Sequence, residues 1–137
     1  METNAKTQLN KLVNVYSSIL PTNTFPWVML TFAAIAQFFA WFGGRYLFPK
    51  VGLCKRIFLL WCIALLQFVI LIPTIGVSTE ILGHSESFIV ILFITFQLLI
   101  FIILNKFTLK SSFTKSHMIS FILIMFAVIL SRTNYIK

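Results

Sequence analysis

Acidic residues are nearly missing from this chain. Its 137 residues include three acids, Glu2, Glu80 and Glu86, against eleven Lys and Arg. None lies inside the four long apolar runs between Phe25 and Leu130. An intramembrane carboxylate is the usual proton-carrying group of small ion-coupled transporters, so that chemistry has no carrier here. Charge of either sign is scarce, at 10% of residues against about a quarter in soluble domains, while 59% are hydrophobic. A soluble globular domain is thereby excluded. The solvent around most of the chain is lipid.

Cysteine is scarce too. Cys54 and Cys62 make no disulfide framework, and neither has the His or Cys neighbours of a zinc site. Paired intramembrane carboxylates, a metal-spaced histidine cluster, a nucleophile elbow and a phosphate loop are all missing. The sequence therefore points away from an enzyme and calls for no cofactor and no metal. The net charge of +8 does not indicate nucleic acid, because the basic residues are scattered through tails and connections. Basic residues flanking apolar runs set membrane topology and favour anionic headgroups.

What is present is an all-α membrane protein with four transmembrane helices. A polar segment at residues 1–24 precedes them, and within it Leu9, Leu12, Val13, Tyr16, Ile19 and Leu20 recur at helical spacing. This predicts a short amphipathic helix able to lie on the membrane surface, with a frayed tail as the alternative. Pro21 and Pro26 break any helix before the first span. The transmembrane domain covers residues 25–131, with spans at about 25–48, 57–77, 88–104 and 113–131, and a short basic tail follows at 132–137. The strongly apolar part of the last span, Met118 to Leu130, falls short of the roughly 17–25 residues a span needs. The run around Ala34-Ile35-Ala36 continues to Phe42 with no basic cluster directly before it, which argues against a cleaved signal peptide.

Seven Lys and Arg flank the first and third connections (Arg45, Lys50, Lys55, Arg56, Lys106, Lys110, Lys115), and four lie in the tails (Lys6, Lys11, Arg132, Lys137). The positive-inside rule then leaves both termini outside. The second connection carries Glu80, His84 and Glu86, read as a solvated loop rather than a metal or proton site. Ser85 and Ser87 are cap candidates for the third span.

Two sets of residues are candidates for function. Ala36, Ala40 and Gly44 are spaced four apart in the first span, a pattern that lets helix backbones approach closely in lipid. It serves either internal packing, which four spans favour, or a homodimer. Gln37, Gln67 and Gln97 each sit near the middle of a span. An amide in hydrocarbon needs a partner, so the three form either hydrogen-bonded glue between helices or a polar belt for a small solute. Thr74 lies seven residues after Gln67 on one helical face, beside Pro73, which kinks the helix or frees a carbonyl towards a cavity.

Several short strings resemble a known family. Ala40-Trp41-Phe42-Gly43 is similar to an A-W-Y-G motif, and Ile63-Ala64-Leu65 followed by Pro73 to an I-A-L…P motif. Leu109-Lys110 with Ser116-His117 resembles an L-K-E-P…N-H stretch. These belong to a small four-span family of unknown function in the drug/metabolite transporter (DMT) superfamily, and the resemblance covers about residues 25–131. The chain departs from it at Gln67, where the pattern has Glu, at Ser111-Ser112, and early in the third span, where an acid is replaced by apolar residues. Small multidrug resistance proteins of the same superfamily exchange protons through a first-span glutamate, and this chain offers Gln37 at that depth.

The resemblance implies a transporter of a small solute in a bacterial inner membrane, working as a homodimer because four helices make a thin wall. Gln37, Trp41, Gln67, Thr74 and Gln97 are the expected cavity-lining residues. The alternatives are a non-transporting scaffold or accessory subunit of a larger complex and, further off, a holin-like permeabiliser.

Overall fold

The computed structural model describes residues 2–108 and 114–133, with side chains for 4–107 and 114–131. Leu109, Lys110, Ser111 and Ser112 of the third connection, the start assigned to the fourth span at 113, Lys137 and the side chain of Arg132 lie outside the described residues. All regular structure among the described residues is helical: α1 (Glu2–Ser17), α2 (Phe25–Tyr46), α3 (Leu53–Gly76), α4 (Glu86–Thr108) and α5 (Lys115–Thr133).

The expected amphipathic helix is α1, and one of its faces is docked on protein. Val13 and Tyr16 are buried against Phe25 and Val77, with Leu9 and Met29 packed alongside. The Tyr16 ring meets Phe25 edge-on at 4.9 Å. Thr24 donates its hydroxyl hydrogen to the Pro21 carbonyl (2.6 Å), leaving Tyr16 to donate to Thr24 Oγ1 at 2.9 Å. These bonds fix the short 3₁₀ turn Thr22–Thr24 that leads into α2. Pro21 stands just before that turn, but Pro26 breaks nothing. It sits in the first turn of α2, where its missing N–H would have had no intrahelical acceptor.

Three helical stretches are long and apolar enough to cross a membrane: Thr22–Tyr46, Leu53–Ile81 and Glu86–Phe107. Lys115–Ser131 is a shorter apolar helix. With 19 residues α5 is about 28 Å long, close to a hydrocarbon core of about 30 Å, but its first turn is the polar Lys115, Ser116 and His117. The second span runs past its expected end. Pro73 removes one helical N–H donor, and the helix then widens into a π turn at Val77–Ile81 that closes with Leu82 N–H on the Val77 carbonyl (3.1 Å). Thr74, Ser78 and Thr79 hydroxyls donate back to the carbonyls of Ile70, Thr74 and Ile75 at 2.6, 2.6 and 2.8 Å, so the loosened stretch keeps its polar groups bonded. Gly83 (φ +71°) turns the chain away. Ser85 then caps α4, its Oγ accepting from Phe88 N–H at 3.3 Å.

The helix α2 is the hub. It packs most extensively against α3, then against α4, while α5 rests on α4 alone among the larger contacts. Ala33, Ala36, Gly43 and Gly44 are buried on α2. A Cβ added at Gly44 would stand 3.2 Å from both Arg56 Cδ and Leu60 Cδ1, so this stripe is where α3 approaches. Internal packing therefore occupies Gly44 itself. At the same end Arg56 Nη2 donates to the Pro49 and Val51 carbonyls (3.1 and 3.0 Å), tying the first connection to α3. A methyl at Gly44 would press on the movable end of Leu60 and on the stem of Arg56, whose guanidinium is held by two carbonyls, so Gly44→Ala is expected to be modestly destabilising. Gly44→Leu is expected to cost roughly 1–3 kcal/mol through overpacking, read as a lowered midpoint of denaturation in bicelles without a change in oligomeric state.

Candidate functional site

Parallel α2 and α4 leave a cavity of about 350 Å³ between them. Its lining is built on helical spacing. Gln37 and Trp41 are four apart on α2, as are Phe38 and Phe42, and Gln97 and Phe101 are four apart on α4. Each set presents one face to the other helix. Phe38, Phe42 and Phe101 form a cluster with ring centroids 5.2, 5.3 and 6.2 Å apart, giving the cavity an aromatic wall. Trp41 is 66% exposed and stands at the mouth, edge-on to Phe42 at 6.3 Å.

Apart from the Trp41 indole N–H at the mouth, Gln37 and Gln97 are the only hydrogen-bonding side chains in that lining. Both are half-buried, and among the described residues neither amide is hydrogen-bonded to another group. Each brings two donors and an acceptor of two lone pairs to an otherwise apolar space. The lining holds no titratable or nucleophilic side chain. It is equipped to bind a polar solute by hydrogen bonds and aromatic contact, and it has no group for acid–base chemistry.

Three of the five residues expected to line a cavity are thus brought together: Gln37, Trp41 and Gln97. Gln67 and Thr74 are placed elsewhere. They are the buried residues of α3, seven apart on the stripe that packs against α2, and Thr74 turns its hydroxyl back on the Ile70 carbonyl. The reason is rotational. Gln37 follows Ala36 by one residue, about 100° around the helix, so it points away from the small-residue seam towards α4, whereas Gln67 points into the seam. Ala36 is buried and Ala40 half-buried on α2.

Phe38, Phe42 and Phe101 were not anticipated as lining. Part of their signal is in the sequence, since Phe101 stands four residues after Gln97 and Phe42 four after Phe38, each pair on one helical face. Around the second connection, His84 lays its ring against Phe88 at 5.5 Å and donates its backbone N–H to the Ser78 carbonyl at 2.9 Å. Among the described residues no three His, Cys, Asp or Glu side chains gather where a metal ion could be held.

No curated protein and no solved structure matches the chain. A family model described as "Putative member of DMT superfamily (DUF486)" matches residues 26–131, which takes in α2 to α4, the intervening connections and most of α5. The four apolar helices and this match agree, and the chain belongs to that family, as a membrane protein of DMT type.

Proposed function

We propose that this protein carries a small uncharged solute through the membrane by way of the α2–α4 cavity, with Gln37 and Gln97 as its hydrogen-bonding groups and Trp41 at its mouth. The observation that carries the reading is the pair of unengaged amides from two parallel helices in one aromatic-walled space. An amide kept partly from water without a partner is unfavourable, by up to about 1–3 kcal/mol when burial is complete. A ligand with its own donor and acceptor offsets that cost and gains affinity from it. Membership of the drug/metabolite transporter superfamily supports the same reading.

The coupling follows from what the spans lack. Glu80 is exposed in the π turn that ends the second span and Glu86 stands at the start of α4, and between these ends of the spans the described side chains include no acid. A glutamine does not titrate, so the carrier works without proton exchange, by facilitated passage down the solute gradient. In the orientation that the basic residues favour, the first and third connections face the cytoplasm. A pair of chains completes the wall of the path, since α3 and α5 each leave most of their apolar surface uncovered.

Purified protein in liposomes tests this with a panel of neutral aromatic and amide-bearing solutes. Gln37→Leu and Gln97→Leu are each expected to lower uptake roughly tenfold, as loss of one buried hydrogen bond implies. Gln67→Leu, on the α2–α3 seam, is expected to leave uptake near the parent level. Equal loss in all three variants would instead favour a structural role for the amides. Uptake is also expected to be unchanged when a proton gradient of either sign is imposed or collapsed. A rate that follows the proton gradient would contradict facilitated passage.

A further inference from the structure

The helix α1 has two apolar stripes, and the fold uses one of them. Leu9, Val13 and Tyr16 face the protein, where Leu9 lies so close to Gly76 that a Cβ added there would stand 3.0 Å from Leu9 Cδ1. The second stripe begins about 60° further round, at Leu12 and Val15, and continues into Ile19 beyond the helix end. Val15 and Ile19 are 68% and 78% exposed. On the far side of α1 the sequence is polar, with Asn10, Asn14 and Ser17. An aqueous helix docked by one stripe has no reason to keep a second.

That second stripe borders a cavity of about 470 Å³ between α1 and the start of α2. Its lining is Leu12, Val15, Ile19, Phe25 and Met29, the body of Tyr16, and Lys11 at the edge where the apolar stripe meets the polar face. Tyr16 has already spent its hydroxyl on Thr24. Lys11 is therefore the one polar group the lining has to offer, and among the described residues it makes no ion pair. The acids nearest in the fold are Glu2, nine residues before Lys11 at the start of α1, and the exposed Glu80 on the π turn against which α1 packs, and no acid occurs between residues 3 and 79.

The groove lies at the end of the bundle where α1 meets the start of α2. Phe25 and Met29 line it from the first turns of α2, and the exposed Phe32, three residues after Met29, continues that face of the helix. An apolar trough with a single cation at its polar rim matches a phospholipid, with an acyl chain along the trough and a phosphate at the amine.

From this we infer that a bilayer phospholipid with an anionic headgroup occupies the α1–α2 groove, its phosphate on Lys11 and one acyl chain along Leu12, Val15, Ile19 and Met29. The lipid completes the burial that the protein half-provides. It makes the docking of α1, and through Leu9 and Tyr16 the setting of the π turn and the start of α2, sensitive to the lipids around the protein.

The test is native mass spectrometry of the full chain, released from nanodiscs of phosphatidylcholine containing a minor fraction of phosphatidylglycerol. The parent is expected to retain phosphatidylglycerol in preference to phosphatidylcholine. Lys11→Gln is expected to weaken that retention about fivefold, as loss of one interfacial cation implies, and Lys11→Arg to restore it. Lys6→Gln removes a cation from the polar face of α1 and is expected to have little effect. Circular dichroism of the variants checks that α1 remains helical. Equal retention of the two lipids, or retention unaffected by Lys11→Gln in a folded variant, overturns the proposal. So does a Val15→Cys disulfide between two chains in the nanodisc, because it would put a second copy of the protein in the groove.

Discussion

The seam between α2 and α3 is the contact on which the remaining geometry rests. Lipid offers apolar side chains no reason to leave it, so helices in a membrane associate through close van der Waals contact and the polar groups they share. Gly43 and Gly44 give that closeness at one end, where Leu60 and the stem of Arg56 come against them, and the buried Ala33 and Ala36 continue it. Once α3 is held on that side of α2, the opposite side is left for α4. Residues one or two steps around α2 from Ala36 and Ala40 then turn towards α4, including Gln37, Phe38 and Trp41. The cavity is a consequence of the seam.

The two ends of the bundle are held by different devices. At the first connection Arg56 closes the loop with two carbonyl bonds, which lets α2 and α3 be joined by a handful of residues. At the other end Pro73 loosens α3 and the hydroxyls of Thr74, Ser78 and Thr79 take up carbonyls in the loosened stretch, so the helix can widen there within the protein interior. The π turn brings Val77 into contact with Tyr16 and Phe25, and α1 closes over it. The amphipathic segment is thus part of the fold.

Much of this was legible in the sequence because lipid leaves few alternatives. Uninterrupted apolar runs of span length placed α2, α3 and α4 to within a few residues, and Ser85 announced the start of α4 as its cap. The small-residue stripe gave the face on which α2 packs. Other features were hidden because they depend on how helices rotate against each other. Depth in the membrane can be counted along a run, and by depth Gln37, Gln67 and Gln97 look equivalent. Azimuth separates them, and it follows from the stripe: Gln37 stands about 100° from Ala36, which sends it away from α3. Reading that offset together with the four-residue spacing of Gln97 and Phe101 would have found the cavity. The π turn and the docking of α1 had no local signal, since Pro73 marks a disturbance without saying what form it takes.

The near-absence of acid acquires a definite meaning in this setting. Under the proposed function, a protein of DMT type with Gln67 where the family resemblance has Glu keeps a place for a solute and gives up the titratable group. That account depends on Gln37 sharing its space with Gln97 and not with Gln67. Cysteine pairs report this directly. In a background with Cys54 and Cys62 replaced by serine, a short bifunctional thiol reagent applied in the membrane should link Gln37→Cys to Gln97→Cys within one chain, and leave Gln37→Cys with Gln67→Cys unlinked. Linking of the second pair in preference to the first would contradict the account.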